Sequence, residues 1–104
     1  MKLKKYFLLL LLLVSLITKS QTKLYTEKYR PQFHFSPTIN WCNDPNGLVY
    51  NNGTYHLFYQ HNPFGNVWGH MTWAHATSQG LMYWKHQRMA IPEENGVVIL
   101  SGTC

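Results

Sequence analysis

The sequence predicts an all-β fold, organised as the first blade of a β-propeller with the start of a second blade behind it. Short segments rich in aromatic and apolar residues recur after residue 47, each bounded by glycine, proline or asparagine, as strands of a sheet are. Two of these segments flank an Asn52-Gly53 step, which favours the positive φ angles of a tight hairpin. After four such segments a fifth begins, as expected where a new blade opens.

The predicted strands lie at 48–50, 54–60, 71–78, 84–90 and 97–101. Four short antiparallel strands joined by tight turns make up one propeller blade. Because repeat units bury their faces against their neighbours, a lone blade is not expected to be a stable domain. We therefore interpret the chain as a truncated part of a larger propeller. A small independent β-sheet is the alternative.

The first 20 residues have the pattern of a secretory signal peptide. Three lysines precede residue 6, and residues 7–17 form an apolar run shorter than the roughly 20 residues that a membrane-spanning helix needs. Small side chains at Thr18 and Ser20 predict cleavage after Ser20. We expect residues 21–104 to be secreted or periplasmic, with no stable membrane insertion after cleavage. A retained signal anchor is the alternative.

The charge of the chain gives no reason to expect a nucleic-acid partner. Four of the nine lysine and arginine residues lie within 1–20, whereas all four acidic residues lie after it. The mature chain is therefore nearly neutral. It is rich in Trp, Tyr, Phe, His and Asn, side chains that stack on and hydrogen-bond to a polyhydroxylated ligand.

The histidines and cysteines predict neither a metal site nor a cofactor. The six histidines lack the spacing of an H-E-x-x-H helix or of a Cys-Cys/His-His framework. Cys42 and Cys104 could pair only if their Cα atoms lie within about 7 Å, and we expect two free thiols. Asn52-Gly53-Thr54 forms a glycosylation sequon on the predicted hairpin.

The segment 41–47, Trp-Cys-Asn-Asp-Pro-Asn-Gly, contains the only aspartate of the chain, Asp44. Proline, asparagine and glycine after this aspartate predict a tight turn that Asp44 initiates. A turn alone would explain the segment, because aspartate side chains often accept hydrogen bonds from nearby backbone donors. A chemical role for Asp44 therefore needs support from the rest of the chain.

This segment resembles the W-x-N-D-P-N-G signature of glycoside hydrolase family 32, which comprises invertases, levanases, inulinases and other fructan hydrolases. Further stretches resemble the family in its order and spacing: 58–63 (Phe-Tyr-Gln-His-Asn-Pro), 67–70 (Val-Trp-Gly-His), 73–78 (Trp-Ala-His-Ala-Thr-Ser) and 101–103 (Ser-Gly-Thr). The resemblance runs from about residue 30 to the last residue. It implies a five-bladed β-propeller, of which this chain holds the first blade and the start of the second.

The resemblance implies that Asp44 is the nucleophile of a retaining β-fructofuranosidase, which acts on the terminal β-fructofuranosyl unit of sucrose, levan or inulin. The positions that it implies for the sugar pocket are Trp41, Cys42, Asn43, Gln60, Trp68, Leu100 and Ser101. Indole faces suit the C–H patches of a sugar, and amide and hydroxyl groups suit its hydroxyls. Cys42 departs from the family pattern, in which methionine is common at this position.

A retaining glycosidase needs a second carboxyl group about 5 to 5.5 Å from the nucleophile, to protonate the leaving oxygen. The resemblance implies that this glutamate and a stabilising aspartate lie on later blades, and we interpret Glu93 and Glu94 as solvated. We therefore expect no useful turnover from this chain alone. The alternatives are a non-catalytic carbohydrate-binding β module, a fructosyltransferase, and a Cys42 nucleophile paired with His75.

Overall fold

The structure, a computed structural model, describes residues 24–103, which form one four-stranded antiparallel sheet in the order β1-β2-β3-β4 and contain no helix. The strands are β1 Cys42–Asn51, β2 Thr54–His61, β3 Thr72–Ser78 and β4 Lys85–His86. The all-β prediction is confirmed. The predicted signal peptide lies outside the described residues, and none of the structure within 24–103 is a helix suited to crossing a membrane.

The hairpin between β1 and β2 forms where the sequence predicts it. Asn52 and Gly53 both have positive φ, 45° and 81°, as a two-residue hairpin loop of the favoured type requires. The register then pairs Asn51 with Thr54 and Tyr50 with Tyr55. This turn fixes which side chains of β2 face the core and which face the opposite side of the sheet.

The predicted tight turn at Asp44 is wrong, because residues 44–47 lie within β1. The strand is irregular there: its pairing with β2 shifts register between Cys42 and Pro45 and again between Asn46 and Val49. β1 is an edge strand, where a proline that cannot donate to the ladder is tolerated. Extra residues in a strand bend it and re-aim its side chains. The bend around Asp44 is thus made by strand irregularity.

The fourth predicted strand is shorter than expected, and the fifth does not form. Only Lys85 and His86 pair regularly with β3, and the chain then touches β3 through single bonds such as Gln87 N to His75 O at 2.8 Å. Residues 97–101 form no strand. They meet the sheet through the amide of Ile99, which donates to the carbonyl of Met71 at 2.9 Å. No second strand beside 97–101 completes a ladder within the described part of the chain.

The two faces of the sheet differ in what covers them. One face carries the core, in which Leu57, Tyr59, Ala74 and Ala76 are buried and Phe35, Cys42 and Trp84 pack against them. The opposite face carries the cross-strand pairs Phe58 with His75 and Gln60 with Trp73. Residues 99–102 lie against the Gln60 and Trp73 end of this second face, which is where the candidate site forms.

The lead-in to β1 has no regular structure, as predicted, and is held by Arg30. Its guanidinium pairs with Glu27 at 2.6 Å and donates to the hydroxyl of Ser36 at 3.0 Å. The lead-in then packs Phe35 against Tyr59, with ring centroids 4.5 Å apart. These contacts fix the path by which the chain enters β1.

Candidate functional site

Asp44 lies exposed on the edge strand β1, and its carboxylate is held by one hydroxyl. Ser101 Oγ donates to Asp44 Oδ2 at 2.5 Å. The other carboxylate oxygen, Oδ1, has no hydrogen-bond partner among residues 24–103. The structure thus brings together two residues that the sequence analysis placed in the pocket.

Trp41 and Asn43 form a second pair beside Asp44. The indole Nε1 of Trp41 donates to Asn43 Oδ1 at 2.9 Å. Two backbone bonds fix Trp41, one from its amide to the carbonyl of Gly65 and one from the amide of Asn62 to its own carbonyl, at 3.0 and 3.1 Å. Because the Asn43 oxygen is occupied, the amide nitrogen of Asn43 is the atom left to donate to a ligand.

The segment 99–102 is held in place by side chains of β2 and β3. Gln60 Nε2 donates to the carbonyl of Ile99 at 2.9 Å, and Trp73 Nε1 donates to the carbonyl of Leu100 at 3.0 Å. Gly102 packs against the Trp73 indole so closely that a Cβ atom would lie 3.1 Å from a ring carbon. These contacts deliver Ser101 to Asp44.

Two of the predicted pocket residues occupy the site differently from the way their chemistry alone suggests. Gln60 is 2% exposed and uses its amide nitrogen to hold the backbone, so its oxygen is the side-chain atom left to accept a hydrogen bond. Leu100 contributes its carbonyl to the Trp73 bond, while its side chain is 65% exposed.

Trp68 lies on the loop between β2 and β3, and Asn62 shapes that loop. The Asn62 side chain is buried; it donates to the carbonyl of Val67 at 2.9 Å and accepts from the amide of Phe64 at 2.9 Å. The Trp68 side chain is 58% exposed. No hydrogen bond or ring contact joins it to Asp44 within residues 24–103, and its indole is exposed.

Cys42 is half-buried, and burial disfavours the thiolate form of its side chain. Its thiol lies 3.7 Å from the carbonyl oxygen of Asn43, and burial raises its pKa to about 11. The alternative of a Cys42 nucleophile paired with His75 finds no support, because His75 Nε2 instead lies 3.0 Å from His56 Nδ1. Cys42 is a free thiol, and Cys104 lies outside the described residues.

The interpretation of Glu93 as solvated is wrong. Its side chain is only 16% exposed, and Oε2 lies 2.8 Å from His70 Nδ1. Glu94 is exposed, as expected. Glu27, the remaining glutamate, pairs with Arg30. Glu27 and Glu93 are thus each paired with another side chain, and neither is hydrogen-bonded to Asp44. Among residues 24–103, no three His, Cys, Asp or Glu side chains come together as metal ligands would.

Asp44 lines none of the three clefts that lie around Ser78, Arg30 and Asn95. One cleft of about 570 Å³ is lined by Thr54, Ser78, Tyr83 and their neighbours at the other end of the sheet, away from the Ser101 contact. Asp44, Trp41 and Ser101 instead lie at an open surface. In a propeller the space around such a surface is shared with other blades.

Three residues of the site were missed as site residues by sequence reasoning: Asn46, Asn62 and Trp73. Each side chain forms a hydrogen bond with the backbone: Asn46 with the amide of Gly102, Asn62 with the carbonyl of Val67 in the Trp68 loop, and Trp73 with the carbonyl of Leu100. Asn62 and Trp73 lie in stretches that resemble the family, and Asn46 lies within its signature. Their partners are distant in sequence, so only the fold reveals what each one holds.

The comparisons with known proteins agree with one another on the family of this chain. Residues 34–104 match the model of the glycosyl hydrolases family 32 N-terminal domain. The levanase of Bacillus subtilis is 48% identical over 93 residues, covering 88% of this chain and 14% of the levanase. The extracellular exo-inulinase of Aspergillus niger is 58% identical over 67 residues, covering 64% of this chain and 12% of that enzyme.

Solved structures agree. The exo-inulinase of Aspergillus awamori superposes with a TM-score of 0.64 at 54% identity, covering 65% of this chain and 13% of that chain. The β-fructofuranosidase of Schwanniomyces occidentalis, complexed with fructosylnystose, gives a TM-score of 0.72 at 38% identity, covering 83% and 18%.

The fold and these similarities place the chain among the glycoside hydrolases built on a five-bladed β-propeller. It belongs to glycosyl hydrolase family 32. The chain spans 12 to 14% of the length of the levanase and the exo-inulinase that it matches.

Proposed function

We propose that this chain supplies the nucleophile and part of the sugar pocket of an exported retaining β-fructofuranosidase, with Asp44 as the nucleophile. The observation that carries the proposal is the carboxylate of Asp44, which is exposed, bound by Ser101 through Oδ2 and open at Oδ1. The names of the relatives, levanase and exo-inulinase, support a terminal fructosyl unit as the group transferred. Residues 1–20 act as the signal peptide, and residues 21–104 begin the propeller.

The reaction proceeds in two displacements. Asp44 Oδ1 attacks the anomeric carbon of the fructosyl unit, and the bond to the leaving oxygen breaks as a second carboxyl group gives that oxygen its proton. The product is a fructosyl ester of Asp44. Water then attacks the same carbon with its proton taken by the second group, which frees fructose and restores the Asp44 carboxylate. The Ser101 hydroxyl keeps Oδ2 turned away from the reacting carbon.

The neighbouring residues bind the sugar with the atoms that their own contacts leave free. The Asn43 amide nitrogen donates and the Gln60 amide oxygen accepts, because their other side-chain atoms are occupied by Trp41 and Ile99. The Ser101 hydroxyl donates its hydrogen bond to Asp44, so its oxygen accepts from a sugar hydroxyl. The Trp41 and Trp68 indoles cover C–H patches of the ring, and the Leu100 side chain lines its edge, whereas the Cys42 side chain packs against the core behind the strand.

The second carboxyl group comes from outside residues 24–103. Glu93 and Glu27 are paired with His70 and Arg30, and Glu94 lies exposed on the turn that it forms with Val97. The proposal therefore concerns a family-length enzyme, meaning this chain continued to the length of its relatives, and the chain alone gives no useful turnover. Sucrose or a fructan such as levan or inulin is the substrate.

The test replaces Asp44 by alanine in the family-length enzyme and measures fructose release from sucrose, levan and inulin. We expect kcat to fall at least about 10³-fold, because the covalent step loses its nucleophile. Sugar binding, measured by calorimetry, should persist. The matched control is Glu94→Ala, an exposed carboxylate that should keep kcat within about twofold. Full activity of Asp44→Ala, or equal losses in both variants, would reject the assignment.

A further inference from the structure

Asn46 lies two residues after Asp44 on β1 and is among the most buried polar side chains, at 2% exposed. Its Oδ1 accepts a hydrogen bond from the amide of Gly102 at 3.3 Å. Its Nδ2 is buried without a hydrogen-bond partner among residues 24–103. A buried donor without a partner lowers stability, and an apolar side chain of similar size would avoid this penalty. Packing alone therefore does not explain an asparagine at this position.

The contact between Asn46 and Gly102 lies directly beside the contact between Asp44 and Ser101. Positions 44 and 46 of β1, which are two residues apart, thus meet two neighbouring positions of the segment 99–102, more than 50 residues further along the chain. Since β1 is irregular here, its ladder with β2 does not by itself fix how the strand faces this segment. The Asn46 bond supplies that alignment.

The bond acts on the direction of the Ser101 side chain. The peptide group before Ser101 is held at the carbonyl of Leu100 by Trp73 Nε1, at 3.0 Å. The peptide group after it is held at the amide of Gly102 by Asn46. Peptide groups are planar, so fixing both of them fixes the two backbone dihedral angles of Ser101. The direction of its Cα–Cβ bond follows, and with it the reach of Oγ to Asp44.

We infer that Asn46 is a positioning residue, which holds the Gly102 amide so that Ser101 Oγ meets Asp44 Oδ2 and keeps Oδ1 aimed at the sugar. Asn46 itself contacts neither substrate nor reacting atoms. The inference rests on the proposed function of Asp44 as nucleophile. Asn46 would thus take part in the reaction although its side chain is buried.

The test is a double-mutant cycle in the family-length enzyme, with kcat as the readout. Asn46→Ala should lower kcat about tenfold with KM little changed, because loss of alignment at a reacting atom costs rate more than binding. In a Ser101→Ala background the same change should lower kcat by less than about twofold, since the hydroxyl that Asn46 positions is already gone. A merely structural role would lower kcat by the same factor in both backgrounds, and that result would overturn the inference.

A second variant covers the case in which Asn46→Ala fails to fold. Gly102→Ala leaves Asn46 intact but pushes the same segment away from Trp73, whose ring carbon would lie 3.1 Å from the new Cβ. It should show the same loss in kcat, and the same disappearance of that loss when Ser101 is alanine. The control is Asn51→Ala, an exposed asparagine on the same strand, which should leave kcat unchanged.

The two hypotheses fail in different ways. If Asp44→Ala keeps its activity, the proposed function is wrong. If Asp44→Ala is inactive while the Asn46 and Ser101 effects multiply, the nucleophile stands and only the positioning role of Asn46 is rejected.

Discussion

The hydroxyl of Ser101 donates to Oδ2 of Asp44 at 2.5 Å, across 57 positions of sequence. Asp44 belongs to the first strand of the sheet, whereas Ser101 follows the last strand. The carboxylate is therefore oriented only once the chain has completed the sheet and returned over its second face. The site depends on the whole folded blade rather than on the segment 41–47.

Removing the Ser101 hydroxyl should slow the reaction without abolishing it. We expect Ser101→Ala to lower kcat of the family-length enzyme by about 10- to 100-fold, the range typical of a lost orienting contact. Ser101→Thr is the matched variant, because threonine also carries a hydroxyl on its Cβ atom. It should retain most of the activity. Equal activity of the alanine variant and the native enzyme would show that the hydrogen bond has no part in orienting Asp44.

The Cys42 thiol should react slowly with iodoacetamide at pH 8. Burial raises its pKa to about 11, so its thiolate fraction at this pH is about 100-fold below that of a thiol with the ordinary pKa of 9.0. The rate is followed by mass spectrometry of the peptide that contains Cys42. The same protein unfolded in urea is the control and should react about 10- to 100-fold faster. Equal rates in both states would contradict the burial of this thiol.

The hairpin between β1 and β2 should depend on Gly53. Its φ of 81° is in the left-handed region, where a side chain costs about 1 to 2 kcal/mol. Gly53→Ala should therefore lower the free energy of unfolding by about 1 kcal/mol, measured by urea denaturation. Gly80→Ala is the matched control, because Gly80 lies outside that region and its new Cβ would meet nothing within 4 Å. A larger loss at Gly80 than at Gly53 would contradict the hairpin geometry.

Stability should decrease as the pH falls below about 6.5. Burial, with a smaller contribution from the neighbouring His56, lowers the pKa of His75 in the folded state. The unfolded chain therefore binds more protons in this range, and protonation favours unfolding. Burial lowers the pKa of His61 and His86 in the same direction.

The check is the melting temperature of the family-length enzyme between pH 7.5 and 5. His75→Phe preserves a ring against Phe58, whose centroid lies 4.4 Å from that of His75, and should reduce the loss on acidification. His34→Asn is the control, because His34 is exposed and asparagine tolerates its positive φ of 72°. If the melting temperature of His75→Phe fell on acidification as much as that of the native enzyme, the effect would belong to other groups.

Local signals predict the parts of this fold that local interactions determine. The hairpin follows from the Asn52-Gly53 step, and strands β2 and β3 follow from their runs of aromatic and small apolar residues. The course of residues 44–47 does not, because the same residues suit both a tight turn and an irregular edge strand. Pairing with β2, which involves residues more than ten positions away, decides in favour of the strand.

The resemblance named candidate site residues but not the contacts between them. The resemblance to the family supplied Trp41, Asn43, Asp44 and Ser101, and the structure joins them in two pairs. It could not supply the Asn46 contact, since a buried asparagine within a turn-like sequence carries no signal of a partner 56 positions away. For the same reason Glu93 was interpreted as solvated, although the fold brings His70 to within 2.8 Å of it.

Capture of the covalent intermediate is the most direct test of Asp44 as the nucleophile. A slow fructosyl substrate or a mechanism-based fructoside is mixed with the family-length enzyme, the reaction is stopped with acid, and peptides are sequenced by mass spectrometry. We expect a fructosyl ester on the peptide that contains Asp44, and none in Asp44→Asn. An ester on any other side chain of the enzyme would contradict it.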